Sequence, residues 1–310
     1  MSFFILILLY DKRKNSANSY IEELISQNKS NKDDLILNEK IKNFQKCYIS
    51  PDMTNKKIIH VILTRFLIEF YKINDFHKKI YKKDYIINGV RVMKKYLIPS
   101  LENQSCKKFI WLLTVGNKVR IKYIESLLNF NNSFKMKIIY TNNTKNFIKN
   151  IAKKFDVLIT TRIDYDDRIY YDAINDVRKA INMEKPILLY GYNRGMFYFE
   201  EDNKYYNFDY TFKNKGASSI FLSLITILKL VNGTYIISDL GVHTEVKKKL
   251  LESFQKFGIK ELKYEPAIFD EGEPKFVMVR QKYSGSYNLT KKLQKHLIPF
   301  NFNLTQFYGK

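Results

Sequence analysis

Apolar and polar positions follow two rhythms along this chain, and from Ile58 onward the rhythms take turns. Short runs of aliphatic and β-branched residues occur at Ile58 to Leu63 (IIHVIL), Phe109 to Val115 (FIWLLTV), Met136 to Tyr140 (MKIIY), Val157 to Thr161 (VLITT) and Ile187 to Tyr190 (ILLY). Each has the length and residue types of a buried strand. Between them lie amphipathic stretches with helical spacing, VRVMKKYLIPSL, YIESLLNF and FIKNIAKKF. Strands alternating with helices of this length predict βαβ units, a mostly parallel sheet and right-handed crossovers. After Gly191 the pattern changes to GMFYFEEDNKYYNFDYTF, which reads as an aromatic hairpin, and then to SSIFLSLITILKLV, which reads as a core helix too short to span a bilayer.

The first 55 residues have a different texture. MSFFILILLY is far shorter than the roughly 20 residues of a membrane span and lacks the basic flank and cleavage site of a signal peptide. It reads as a buried strand in preference to a membrane-surface contact. Asn15 to Pro51 is polar and Lys/Asn-rich, compatible with a helix that offers little apolar surface. The expected organisation is an N-terminal helical extension over residues 1–55 and one α/β domain, a Rossmann-type mostly parallel sheet flanked by helices, over residues 56–310.

Composition narrows the class. A hydrophobic share of 45% and an aromatic share of 15% exclude global disorder. The net charge of +22 comes mainly from lysine, since only nine of the 53 basic residues are arginine. The lysines are spread along the chain beside abundant Asn, Ile and Tyr, a bias expected of A/T-rich codons, so specific nucleic-acid binding is not implied. The positive field still favours phosphorylated ligands and loose contact with an anionic inner membrane face. Two cysteines, Cys47 and Cys106, make neither a disulfide framework nor a cysteine zinc site, which makes a reducing cytoplasm the default. The chain has no G-x-x-x-x-G-K-[ST] phosphate loop and no G-x-G-x-x-G fingerprint, which disfavours a P-loop kinase and a dinucleotide dehydrogenase.

The chemistry concentrates at Asp156 to Tyr171, DVLITTRIDYDDRIYY, where a strand-like run ends in Asp164, Asp166 and Asp167 and helical periodicity begins at Arg168. The carboxyl edge of an α/β sheet is where ligands bind, and carboxylates there suit hard cations such as Mn²⁺ or Mg²⁺. A solvated turn capping the next helix is the plainer alternative. Three acids together in so basic a chain favour the cation site.

Several landmarks, taken in order, resemble the rhamnosyl transferase family of GT-A-type glycosyltransferases. They are TRF at Thr64 to Phe66, LIPSLENQSCKKFIWLLTV at Leu97 to Val115, TTRIDYDD at Thr160 to Asp167, Gly191 with Tyr192, FLSLI at Phe221 to Ile225, His243, and VMVRQKYSGSYN near the C-terminus. The resemblance covers roughly Ile59 to Asn288. It implies transfer of a sugar, rhamnose being one candidate, from a nucleotide-sugar donor to a glycan or lipid-linked glycan acceptor. Relatives carry a His before a Gly and an Asn near the end, where this chain has Val279, Arg280 and Gln281.

On this reading Asp166, helped by Asp164, holds the metal, and Asp167 holds the donor sugar or a metal-bound water. Thr64, Arg65, Arg162 and Arg280 are the donor-binding candidates, Thr64 and Arg65 where relatives would contact the nucleotide, Arg162 and Arg280 through bidentate hydrogen bonds to phosphate. A structural ion pair is the alternative for each arginine. Trp111 is expected in the core. His243 is the candidate general base, with Asp239, Glu245, Asp270 and Glu271 as rivals, and inverting and retaining chemistry both stay open. Two other classes stand beside this one. A non-catalytic basic protein would use the lysine faces KKIYKKDY and VKKKLL, and a glycosyltransferase-like scaffold would follow from the missing His.

Overall fold

The computed structural model of the chain describes residues 47–68, 81–129, 134–209, 221–231, 233–237, 252, 267–270, 272–281, 294 and 299–300. In chain order the elements are β1 (Ile58–Phe66), α1 (Lys83–Lys95), α2 (Leu97–Glu102), β2 (Ile110–Val115), α3 (Ile121–Leu128), β3 (Lys135–Tyr140), α4 (Thr144–Ala152), β4 (Val157–Arg162), β5 (Arg168–Ile169), α5 (Ala173–Lys179), β6 (Ile187–Tyr192), β7 (Arg194–Phe199), β8 (Lys204–Asp209), β9 (Leu222–Ile227), β10 (Ala267–Asp270), β11 (Phe276–Arg280) and β12 (Pro299–Phe300). The expected N-terminal extension up to Lys46, including MSFFILILLY, lies outside the described residues.

Seven strands form the main sheet in the order β10-β6-β9-β4-β1-β2-β3. All neighbours pair in parallel except around β9, which runs antiparallel to both β4 and β6. The expected mixed α/β architecture, a mostly parallel sheet flanked by helices, is what the chain forms. One element differs: the segment expected to be a helix after the hairpin is strand β9. All six of its residues, LSLITI, are buried, and a strand covered on both faces loses the alternation that separates it from a buried helix.

Strand alternation sends successive side chains to two apolar layers. Ile62, Phe66, Trp111, Leu113 and Ile159 face one layer with Val90 and Met93 of α1. Val61, Leu63, Leu112 and Leu158 face the other with Ile148 and Ala152 of α4. Helix α1 buries Ile86, Gly89, Val90 and Met93, one stripe at helical spacing. A Cβ on Gly89 would lie 2.5 Å from the Phe66 ring, so glycine lets this helix approach the end of β1. Trp111 is fully buried, as expected.

A second sheet, ordered β12-β8-β7-β11-β5, is built on the expected hairpin of β7 and β8. Its β11 pairs antiparallel with β5, Val277 opposite Arg168 and Phe276 opposite Ile169. This pairing docks the segment after β4 onto the chain just before Arg280. The two cysteines are joined as a disulfide across 59 positions, tying Cys47 to the loop before β2. Disulfides are rare in reducing compartments, so the cytoplasmic expectation loses the support drawn from the cysteine count. Among the described residues no helix is long and apolar enough to cross a membrane.

Candidate functional site

The chain runs outward from β1 to β2 and β3, then returns to place β4 on the other side of β1. The strand order therefore reverses between β1 and β4. In an open α/β sheet the crevice at the carboxyl ends of two such strands is where ligands bind. Here those ends are Arg65 with Phe66, and Arg162 with the acidic turn. Beyond Phe66, Leu67 adopts a positive φ of 55°, an uncommon conformation for a branched side chain, and ends the strand.

The turn after β4 is closed by the Asp167 N–H donating to the Asp164 carbonyl at 3.2 Å. Asp164 is half-buried, whereas Asp166 and Asp167 are 9% and 4% exposed. Arg162 Nη2 lies 3.5 Å from Asp164 Oδ1. Arg280 reaches the same group from β11 and attracts both Asp166 and Asp167 electrostatically. Three acids and two of the expected arginines, Arg162 and Arg280, thus meet at one edge.

Burial sets the electrostatics. Loss of water pushes the Asp166 carboxyl up to about 6, with Arg280 pulling the other way. Asp167 is raised well above the usual carboxylate range by burial, then by the negative charges of Asp166 and Asp164. Its carboxylate accepts a hydrogen bond from the Val279 backbone, but Oδ1 has no partner among the described residues. An uncompensated buried carboxylate oxygen is costly, and a hard cation or a donated hydroxyl would satisfy it. Among the described residues no three His, Cys, Asp or Glu side chains stand together as a metal-holding group. The residues fit a cation held by one or two carboxylates with substrate phosphates completing its shell, a common arrangement for Mg²⁺.

The other expected residues are placed as follows. Thr64 is fully buried, and its hydroxyl accepts a hydrogen bond from Trp111 Nε1 at 3.0 Å inside the core. Arg65 lies on the other face of β1 from Thr64, the face of Leu63, which pairs with Arg162, and is half-buried. His243, Asp239, Glu245 and Glu271 lie outside the described residues. Asp270 is bound to Lys275 Nζ at 2.7 Å and to the Gly272 N–H at 2.8 Å. Burial raises its carboxyl, but these bonds overcome that and hold it below the usual range. Such a carboxylate is a poor proton acceptor.

Two groups that patterning does not flag complete the neighbourhood. Gln104 donates to the Ser100 and Tyr170 carbonyls and accepts from the Ile174 N–H, while Asn175 donates to Ser105 Oγ at 2.9 Å. The NQS segment after α2 therefore clamps the chain that leaves the acidic turn. Beside the turn, Tyr165 hydrogen-bonds with Tyr85 of α1, and its ring packs edge-on against Phe66 at 5.3 Å. Contacts between residues 80 positions apart leave no local signal in the sequence.

No curated protein matches the chain. Among solved structures, a cytidylyltransferase from Leptospira borgpetersenii serovar Hardjo-bovis is 12% identical, with a TM-score of 0.34, over 71% of this chain and 78% of that one. TarS 1–349 of S. aureus in complex with UDP is likewise 12% identical with a TM-score of 0.34, over 71% of this chain and 60% of that one. Residues 62–224, just over half of the 310, match the family described as "Putative rhamnosyl transferase". The chain belongs to that family.

Proposed function

We propose that this protein is a glycosyltransferase that moves a sugar, with rhamnose as the first candidate, from a nucleotide-sugar donor to a glycan or lipid-linked glycan acceptor. The observation that carries the proposal is the meeting of Asp164, Asp166 and Asp167 with Arg162 and Arg280 at the strand-order reversal between β1 and β4. Acids and arginines at one edge suit a diphosphate that arrives with a divalent cation.

Breaking the glycosidic bond of such a donor leaves a nucleoside diphosphate whose charge must be stabilised as it forms. Arg280 and Arg162 would meet that charge with parallel N–H donors. Asp166, with Asp164, would hold Mn²⁺ or Mg²⁺, which supplies further charge stabilisation on the leaving oxygens. Asp167, buried and with one oxygen unsatisfied, would accept a hydroxyl of the donor sugar. An acceptor hydroxyl must lose its proton to a base, and His243 is the candidate for that role.

Incubation of the protein with sugar nucleotides and glycan acceptors, read by mass spectrometry, tests the proposal. A glycosylated product that needs the acidic turn supports it. Transfer of a nucleotidyl group instead would replace it with a different transferase chemistry.

A further inference from the structure

Lysines that are spread along the sequence gather in the fold at the amino edge of the main sheet, opposite the acidic turn. Lys56 and Lys57 stand just ahead of β1, Lys107 and Lys108 ahead of β2, and Lys153 and Lys154 ahead of β4. These three strands are neighbours and run parallel. Adjacent strands lie about 4.8 Å apart, so the three doublets enter the sheet within roughly 10 Å of one another. Lys135 opens β3 beside them, and the antiparallel β9 ends at the same edge and leads to Lys229. Lys107 turns its ammonium to the Leu101 and Glu102 carbonyls. The other doublet lysines form no side-chain ion pair among the described residues. The nearest acid in sequence is Asp156, whose Oδ2 already accepts the Lys57 N–H at 2.8 Å.

A compositional bias alone would charge both edges alike. At the carboxyl edge Asp164, Asp166, Asp167 and Asp270 offset the basic residues, whereas the amino edge has no comparable group of acids among the described residues. The second observation is a cavity of about 540 Å³ at the amino edge. Its walls include Ile58, Phe109, Ile110, Phe134 and Phe155, and Lys108 and Lys135 share the lining. Leu230, just past β9, is 45% exposed.

Ammonium groups around an apolar cavity suit an anionic amphiphile. A free phosphate has no use for the apolar walls. Single-stranded nucleic acid binds on exposed aromatic faces, and Phe109 and Phe134 are buried. We infer that the amino edge of the sheet docks on an anionic bilayer, its lysines meeting phospholipid headgroups and the cavity receiving the end of an acyl tail. Docking by this edge leaves the acidic turn, at the other end of the strands, open to solvent and to a soluble donor.

The test uses the full chain in flotation assays with phosphatidylcholine vesicles, with and without phosphatidylglycerol. One variant combines Lys57→Gln, Lys108→Gln, Lys153→Gln and Lys154→Gln. A control removes the same charge elsewhere through Lys83→Gln, Lys94→Gln, Lys122→Gln and Lys204→Gln, and all eight lysines are exposed. A lysine close to an anionic surface strengthens attachment about fivefold. The edge variant should therefore bind anionic vesicles roughly a hundredfold more weakly than wild type, while the control stays within a few-fold. Neutral vesicles should not be bound.

Trp111 is the chain's single tryptophan and packs edge-on against Phe134 of the cavity wall at 6.2 Å. Anionic vesicles with brominated acyl chains should quench its fluorescence, because a tail in the cavity brings bromine beside it. Equal losses in the two variants would overturn the inference by reducing attachment to net charge. Failure of the wild type to bind anionic vesicles, or an unquenched Trp111 on vesicle-bound protein, would overturn it too. So would wild type that retains single-stranded RNA and ignores vesicles, which would make the edge a nucleic-acid surface. None of the substituted lysines belongs to the donor site, so each of these failures leaves the glycosyltransferase proposal standing.

Discussion

Trp111 Nε1 donates a hydrogen bond to Thr64 Oγ1 at 3.0 Å, joining β2 to β1 across 47 positions inside the core. Both residues are fully buried, so the bond spares an indole N–H from lying dry and unpaired. Thr64→Val should therefore cost about 1–3 kcal/mol. At roughly 2–4 °C per kcal/mol for a domain of this size class, thermal unfolding should show the drop. The KM for the donor should stay near the wild-type value. A raised KM with unchanged stability would place Thr64 at the ligand instead.

Acid sensitivity should have a traceable source in His60. The side chain is completely buried and bonded through Nε2 to Thr161 Oγ1 at 2.6 Å, which in turn contacts Ser223 Oγ. Burial first, and the nearby Arg178 charge second, depress its pKa from 6.5 to about 3. The unfolded chain then binds the proton first as pH falls. The stabilisation is complete above pH 6.5 and is lost progressively toward pH 3, with an upper bound of about 5 kcal/mol. Unfolding at a series of pH values should show a flatter slope for His60→Gln than for wild type across this window.

The acidic turn should trade stability for function. Asp166 is buried and costly to ionise, so Asp166→Asn should leave the melting temperature level or raise it by a few degrees. The same change should abolish donor turnover and any stabilisation by Mn²⁺, because a cation that binds only the folded state raises its stability by mass action. Thermal unfolding with and without Mn²⁺, beside an activity assay, checks all three.

Arg280 is half-buried and held by its Nη1 bond to the Val279 carbonyl at 3.0 Å and by the Phe197 ring 5.1 Å away. Arg280→Ala should raise the donor KM roughly tenfold or more, and Arg280→Lys should recover only part, because an ammonium lacks the planar fork. An all-oxygen cation shell also discriminates weakly against hard metals, so Mg²⁺ should support turnover nearly as well as Mn²⁺. Initial rates with each metal would show it.

The architecture was legible wherever apolar runs were bounded by polar turns. Strands β1 to β4 and β6 and the β7–β8 hairpin follow the pattern closely. β9 was not legible as a strand, because LSLITI is buried on both faces and carries no alternation. β5 has only two residues and exists through its pairing with β11, a contact more than a hundred positions away. The acids and Arg162 were legible from a strand ending in charge, and Arg280 from its position in a landmark of the family. Thr64 followed the same landmarks, but the alternation of β1 turns its hydroxyl toward Trp111. The Tyr85–Tyr165 pair and the Cys47–Cys106 bridge depend on tertiary proximity alone.

The most direct measurement is hydrolysis of a panel of sugar nucleotides by the wild-type protein, with Mn²⁺ present and after chelation, beside Asp166→Asn. Release of nucleoside diphosphate from at least one donor is expected, dependent on the cation and absent in the variant. No hydrolysis of any donor with Mn²⁺ present, or equal rates in wild type and variant, would contradict a glycosyltransferase centred on the acidic turn.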